Sequence, residues 1–213
     1  RHSDIWNEAV AAGLYVHITT QQVMDAMSPD AQGLLAVVAT EEATGSEALA
    51  SALEGARLVA VLTQAQDPGN AGTIIRAADA AGADAVVLVR GSVDPTAPKV
   101  VRSTAGSLFH LPVVTGVALD DAVTALHNAG LTVLAADGRG DFDLFEAESL
   151  LGAPSAWLLG NEAHGLPLEA LSRADAVVSI PIYGKAESLN VAAAAAVCLY
   201  ASARAQAQNS GRG

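Results

Sequence analysis

The sequence predicts an α/β protein built on a parallel sheet with helices on both faces. Three observations carry that expectation. Short apolar, β-branched runs recur from about residue 56 onward. Helix-like segments lie between them. The runs are continuously apolar, as strands buried on both faces are, and do not alternate with polar residues. A chain that is 51% hydrophobic has ample material for such a core.

The elements follow in order. Strands are expected at Leu58–Leu62, Ala85–Val89, Leu131–Ala135, Trp157–Leu159 and Ala176–Ile180, with a weaker one at Leu111–Val114. Helices are expected at Ala71–Ala81, Lys99–Ser107, Leu119–Ala129, Pro167–Arg173 and Ser188–Gln206. The first 40 residues read differently: helix, strand (Tyr15–Ile18), helix (Thr20–Met27), strand (Gly33–Val38). That is too little chain for a core of its own. It also opens without Met in a helical pattern, so the front of a small N-terminal domain is expected to be missing. The domain reading is therefore 1–40 as the end of that domain, 41–55 as a linker with a short helix, and 56–213 as the main domain.

Composition narrows the function. No apolar run reaches the roughly 18 residues that a membrane span needs, and no targeting segment is visible. The one cysteine, Cys198, has no disulfide partner in the chain and reads as a small buried hydrophobe. A cytoplasmic location fits. The five histidines are scattered and there is no CxxC, so no metal site is expected. Net charge is −12 with 11 Lys and Arg, which taken alone argues against a nucleic-acid binder. Arg76, Arg90, Lys99, Arg102, Arg139 and Lys185 nevertheless all sit near candidate loops, which leaves room for a local basic face.

Three polar loops stand at the junctions of strand and helix, where open α/β sheets place ligands. The first, Asp67-Pro-Gly-Asn-Ala-Gly72, opens the helix that carries Arg76. It lacks GxGxxG and Gly-Lys-Ser/Thr spacing. Its plainer reading is a helix start with Asn70 as cap and Arg76 solvated. The second is Gly160-Asn-Glu-Ala-His-Gly165, in which Glu162 and His164 are acid/base candidates. Loop amides bound by Asn161 and Glu162, and a structural His164, are the plainer account. The third runs from Ile180 to Asn190 and carries Lys185, Glu187 and Ser188. There Ser188 could be the cap of the last helix, with Glu187 serving its dipole. No Gly-x-Ser-x-Gly is present. The set suits an organic cofactor handled by Arg, Asn, Glu and Ser.

These loops, in this order, resemble the three motifs of the SpoU (TrmH-like) class of SPOUT RNA methyltransferases. The matching residues are Asn70, Gly72 and Arg76; Gly160-Asn161-Glu162 with His164-Gly165-Leu166; and Ile180-Pro181, Gly184, Glu187-Ser188-Leu189-Asn190 and Ala192. The segment Pro98–Pro112 also looks like the family's region between motifs one and two. Gly33–Val38 and the helices before it resemble the end of a ribosomal-protein-like domain.

The resemblance implies a parallel sheet whose C-terminal part is tied in a trefoil knot, a homodimer, and S-adenosylmethionine-dependent methylation of a ribose 2′-hydroxyl in RNA, rRNA before tRNA. It places Ala135, Asp137, Leu159, Gly160, Asn161, Ile180, Ile182, Ser188 and Leu189 around the cofactor. It makes Arg76 the catalytic arginine, with Asn70, Glu162, Ser188 and Asn190 positioning it and the ribose. Arg76, Lys99 and Arg102 become RNA contacts. The other reading is an RNA-binding or ribosome-associated protein that uses the same fold without turnover. A nucleotide-binding α/β enzyme is disfavoured by the absent phosphate-loop spacings. Which RNA is modified, and whether the role is antibiotic resistance or housekeeping, is left open.

Overall fold

A computed structural model describes residues 2–29, 31–39, 43–161 and 165–210. The chain divides into two compact units, Arg1–Glu41 and Glu42–Gly213.

In the first unit α1 (Ser3–Ala11) and α2 (Gln21–Met27) form. The Thr20 side chain accepts from the Val23 N–H at 3.4 Å and starts α2. Neither helix buries a residue. The strands expected at Tyr15–Ile18 and Gly33–Val38 do not form. A strand is stable only in a ladder, and neither run has a hydrogen-bonded strand partner among the described residues.

The second unit holds a seven-stranded sheet, every pair parallel. Its strands are β1 (Leu58–Leu62), β2 (Ala85–Val89), β3 (Val113–Val117), β4 (Thr132–Ala136), β5 (Phe142–Asp143), β6 (Ser155–Leu159) and β7 (Ala176–Ser179). They lie in the order β3-β2-β1-β6-β4-β7-β5. β1 and β2 coincide with the expected runs, and β4, β6 and β7 differ by one or two residues. β3 starts two residues later than expected. Pro112 has no N–H to give a ladder, although its carbonyl still accepts from Val86 at 2.9 Å. β5 was not foreseen: its two residues sit in an acidic stretch without an apolar run.

Both faces of the sheet are covered, as the apolar runs required. On one face α4 (Pro68–Ala80), α5 (Pro98–Thr104), α7 (Glu148–Leu151) and α9 (Val191–Ser210) pack on Leu58, Ala60, Leu62, Leu134 and Trp157. On the other, α3 (Gly45–Ala52), α6 (Leu119–Asn128) and α8 (Leu168–Arg173) pack on Val59, Val61, Val87, Val133 and Leu158. Alternate residues of one strand thus feed two cores. α3 falls in the stretch read as a linker, yet Leu49 and Leu53 are 1% and 3% exposed within the second core. Each such leucine contributes about 1.5–3 kcal/mol by burial, so this helix is an integral part of the second unit.

The helix ends have local causes. Asp67, not Asn70, caps α4: its Oδ1 accepts from the Asn70 N–H at 2.7 Å, and Pro68 occupies the first turn. Ala71, Ile74, Ile75 and Ala78 then make the buried stripe. α5 stops at Thr104 because Ala105 (φ 50°) and Gly106 (φ 102°) turn left-handed, and a 3-10 turn at Ser107–Phe109 follows. α9 starts at Val191, not Ser188. Its cap is Asn190, whose Oδ1 accepts from Ala192 at 2.9 Å and Ala193 at 3.3 Å.

Candidate active site

Strand order decides what comes together. β1, β6, β4 and β7 are consecutive neighbours and all parallel. Their carboxyl ends therefore share one edge. The first loop leaves β1, the second leaves β6, the third leaves β7, and Asp137 follows β4 between the last two. Residues more than a hundred positions apart in sequence meet for that reason.

Hydrogen bonds tie the loops to each other. Thr63, 2% exposed at the end of β1, donates its backbone N–H and its Oγ1 to the Leu159 carbonyl, both at 2.9 Å. Asn161 Nδ2 donates to the Gln64 carbonyl at 2.9 Å, joining the second loop to the first. Asn190 Nδ2 donates to Asn70 Oδ1 at 3.1 Å, joining the third to the first. The second loop is pinched by a reciprocal pair, Asn161 N–H to Gly165 O at 3.0 Å and Gly165 N–H to Asn161 O at 2.9 Å. Glu162 and His164, between them, lie outside the described residues. A Cβ on Gly160 would come within 2.4 Å of the Gly165 carbonyl carbon, so no larger residue fits there.

Gly72 permits a close approach of backbone, here between two helices. A Cβ there would stand 2.5 Å from Ser103 Cβ and 2.7 Å from the Val100 carbonyl. The glycine lets α5 lie against α4. Arg76 follows one turn later on the same flank of α4. It is exposed, and no hydrogen bond or ion pair joins it to a described residue. Lys99 and Arg102 are exposed on α5.

The remaining predicted residues fall into two groups. Ala135 and Leu159 are buried strand residues, 0% and 1% exposed, and reach a ligand only through backbone. Ile180 is half-buried, whereas Ile182, Ser188 and Leu189 are exposed in the third loop. Asp137 is held by its own neighbour: Arg139 Nε and Nη2 donate to its two oxygens at 2.9 and 3.1 Å. That hydrogen bond keeps the Asp137 carboxyl below the usual range, and burial opposes it only in part. Arg139, counted among the loop cations, is thereby engaged. Sequence reasoning missed Thr63 and Gln64. Thr63 had a signal, a hydroxyl residue closing an apolar run. Gln64 had none, since its left-handed backbone (φ 56°) is unusual for a non-glycine.

The edge suits an adenosine-bearing cofactor. No described residue receives a hydrogen bond from the N–H groups of Ile180, Ile182 or Leu189. Backbone donors with no acceptor among the described residues, beyond a strand end, complement the ring nitrogens of a purine. Among the described residues there is no group of His, Cys, Asp and Glu arranged for a metal ion.

Residues 57–200 match the SpoU rRNA Methylase family. The chain belongs to that family. It is 42% identical over 151 residues to the 23S rRNA (guanosine(2553)-2′-O)-methyltransferase RlmP of Bacillus subtilis, covering 70% of this chain and 58% of RlmP. It is 30% identical over 200 residues to the 23S rRNA (guanosine-2′-O-)-methyltransferase RlmB of Bordetella pertussis, covering 92% of this chain and 81% of RlmB. Among solved structures, the AdoMet-bound rRNA methyltransferase of Sinorhizobium meliloti superimposes with a TM-score of 0.77 at 30% identity, over 95% of this chain and 76% of that one. The chain thus spans a little over half of RlmP and about four-fifths of RlmB. The family expected from the loop motifs is the family found, and the parallel α/β sheet expected from the apolar runs is the sheet observed.

Proposed function

We propose that this chain transfers a methyl group from S-adenosylmethionine to a ribose 2′-hydroxyl of RNA, ribosomal RNA before tRNA. One observation carries the reading: the three motif loops leave β1, β6 and β7 at one edge of the sheet, the second and third are each hydrogen-bonded to the first, and Arg76 stands exposed one turn above the first with no partner among the described residues. The names of RlmP and RlmB support rRNA as the substrate class. The AdoMet-bound Sinorhizobium structure supports the cofactor.

The roles follow from chemistry. The cofactor supplies an electrophilic methyl when bound. The backbone of Gly160, Ile180, Ile182 and Leu189 holds its adenosine part, with Leu159, Ala135, Asn161, Asp137 and Ser188 at the rim. Arg76 is a poor base, because a guanidinium keeps its proton at any ordinary pH. It is a good clamp for phosphate and a good stabiliser of a developing alkoxide. Asn70 and Asn190 brace the loops around it, and Glu162 is assigned to orienting the ribose. Lys99 and Arg102 are assigned to RNA phosphate. Because the reaction is an in-line displacement, alignment of hydroxyl and methyl supplies much of the rate.

The reading extends to assembly. β5 lies beyond β7 at the sheet edge, while β6, next in the chain, returns between β1 and β4. A Cβ on Gly140, between β4 and β5, would stand 2.6 Å from the Val177 carbonyl oxygen, so the chain passes close against β7 there. Such crossing supports a trefoil knot at the C-terminal end. The exposed Tyr200 and the small residues of α9 support a homodimer through that helix. Residues 1–40 are assigned to substrate recognition, supported by exposed Ile5, Val10 and Leu14, and the cytoplasm is the assigned location because the substrate is RNA.

Calorimetry with S-adenosylmethionine, followed by transfer of labelled methyl to rRNA, tests the reading. Saturable binding and alkali-stable label at a 2′-oxygen are expected. A folded chain that binds no cofactor overturns it. Binding of RNA without transfer to any rRNA or tRNA transfers the case to the non-catalytic reading.

A further inference from the structure

The molecule has a second cleft, on the other face of the sheet from Arg76. β1 is where the chain's strand order reverses: β2 and β3 extend to one side of it, and every later strand lies on the other. Open α/β sheets form their ligand crevice outside the carboxyl ends of strands at such a point. Here the crevice is about 310 Å³ and is lined by Thr63, Gln64, Arg90, Asp120, Pro167 and Glu169. That is the low end of the range for small-molecule sites, the size of one nucleoside rather than of a longer segment. It lies on the α6/α8 side of the sheet, whereas Arg76 is on the α4 side. Gln64 belongs to both, because its carbonyl accepts from Asn161 of the second motif loop.

The lining is mixed in charge and polarity. Arg90 offers a guanidinium, of which Nη2 also donates to the Gly116 carbonyl at 3.2 Å. Asp120 and Glu169 offer carboxylates. Asp120 Oδ2 receives Arg173 Nη2 at 2.7 Å, while Asp120 Oδ1 is shielded from solvent and has no hydrogen-bond partner, although the side chain as a whole is half exposed. A shielded acceptor without a donor is costly. A carboxylate turns easily about its last torsion, so a donor arriving in the cleft can meet that oxygen.

We infer that this cleft binds a guanine base of the RNA, next to the nucleotide that Arg76 handles. This rests on the proposed methyltransferase reading. The choice of base follows from the donors and acceptors. Guanine presents two adjacent donors, N1–H and N2–H₂, which a single carboxylate accepts together. It also presents O6 and N7, the pair that an arginine contacts best. Adenine has one exocyclic donor beside an acceptor, uracil one donor between two acceptors, and cytosine one donor group. None of them offers two adjacent donors to one carboxylate together with a paired acceptor edge for a guanidinium. Val89, Leu119 and Pro167 supply apolar surface for the ring faces.

Titration of the purified full chain with guanosine 5′-monophosphate and, separately, adenosine 5′-monophosphate tests this. Guanosine monophosphate should bind about tenfold or more tightly, the worth of one charged hydrogen bond. Asp120→Asn keeps shape and an acceptor for Arg173 but removes the second carboxylate oxygen, and should abolish the preference. Gln64→Ala should weaken both nucleotides. S-adenosylmethionine affinity should be unchanged in Asp120→Asn. Equal binding of the two nucleotides, or a preference that survives Asp120→Asn in a variant that melts like wild type, overturns the inference. The two readings fail separately. Methyl transfer without guanine preference removes this cleft and leaves the enzyme. A guanine preference that depends on Asp120, in a chain that binds no S-adenosylmethionine, removes the enzyme and leaves the cleft.

Discussion

Asn190→Ala separates what one side chain does for the fold from what it does for the site. Asn190 Oδ1 caps α9 through the N–H groups of Ala192 and Ala193, and Nδ2 reaches Asn70 Oδ1 at 3.1 Å. Loss of an asparagine cap costs about 1 kcal/mol. Loss of an ordinary hydrogen bond costs about another 1 kcal/mol, less here because Asn190 is exposed. The alanine variant should therefore lose about 1–2 kcal/mol. In a unit of this size that lowers the midpoint of thermal unfolding by roughly 2–8 °C. Asn190→Asp is the informative partner. Aspartate caps as well as asparagine does, so about half or more of the lost stability returns. It has no donor for Asn70, so the third loop is still released from the first. Thermal melts and methyl-transfer rates on both variants check this. Expected is a stability order of wild type, Asp, Ala, with both variants slow at the chemical step. The reasoning fails if Asn190→Asp restores full activity, or if Asn190→Ala melts like wild type.

Four further outcomes are expected. Arg76→Ala should reduce methyl transfer by roughly a hundredfold or more, the scale for losing one aimed electrostatic stabiliser, while calorimetry shows S-adenosylmethionine affinity nearly intact; full activity would remove Arg76 from the mechanism. Gly72→Ala places a carbon 2.5 Å from Ser103 Cβ and should cost about 1–3 kcal/mol by overpacking, partly offset by about 1 kcal/mol of helix propensity; Gly184→Ala, with nothing within 4 Å of its added carbon, is the neutral control in a urea melt. Ser202→Ala strands the Trp157 indole N–H, which donates to Ser202 Oγ at 2.9 Å in the core, and should cost about 1–3 kcal/mol, read by the same melt. Cys198 is fully buried and its thiol is pushed up to about 12 by desolvation, so a thiol reagent at neutral pH should label only the unfolded chain; rapid labelling of the native protein would contradict the packing of α9.

Acid should loosen the loop after β4 before it unfolds the sheet. The Arg139 hydrogen bond lowers the Asp137 carboxyl in the folded state below its ordinary 3.8. The sign is that of a depressed acid: its contribution is complete above the unfolded value and is lost as pH falls through the folded one. The effect is therefore confined below about pH 4, and Asp137 does not set the neutral pH profile. Chemical shifts of the Arg139 side chain against pH would show the pair breaking there; a break near neutrality would refute the assignment.

How much of this was legible depended on the kind of signal. Strands buried on both faces announce themselves, and Leu58–Leu62 and Ala85–Val89 were placed to the residue because every position of both is buried. β5 could not be read, since two residues beside an edge carry no period. The caps were misassigned by three residues at Asp67 and by two at Asn190, because Asp, Asn and Ser all cap and only backbone angles choose among them. The candidate site was legible as three loops, but not as one place. Only the order β1-β6-β4-β7 puts their exits side by side, and no local pattern encodes strand order.

That distinction also sorts the site residues by what they are able to do. Asn70, Asn161 and Asn190 all share a motif loop with a candidate functional group, and each is committed to another loop or a helix end. Those bonds make the three asparagines braces first. Arg76 is the motif cation that is exposed and has no partner among the described residues. An exposed guanidinium contributes little to the fold by itself. Its value arises only when an anion arrives, and the anions that RNA brings are a phosphate and, during reaction, a 2′-oxygen.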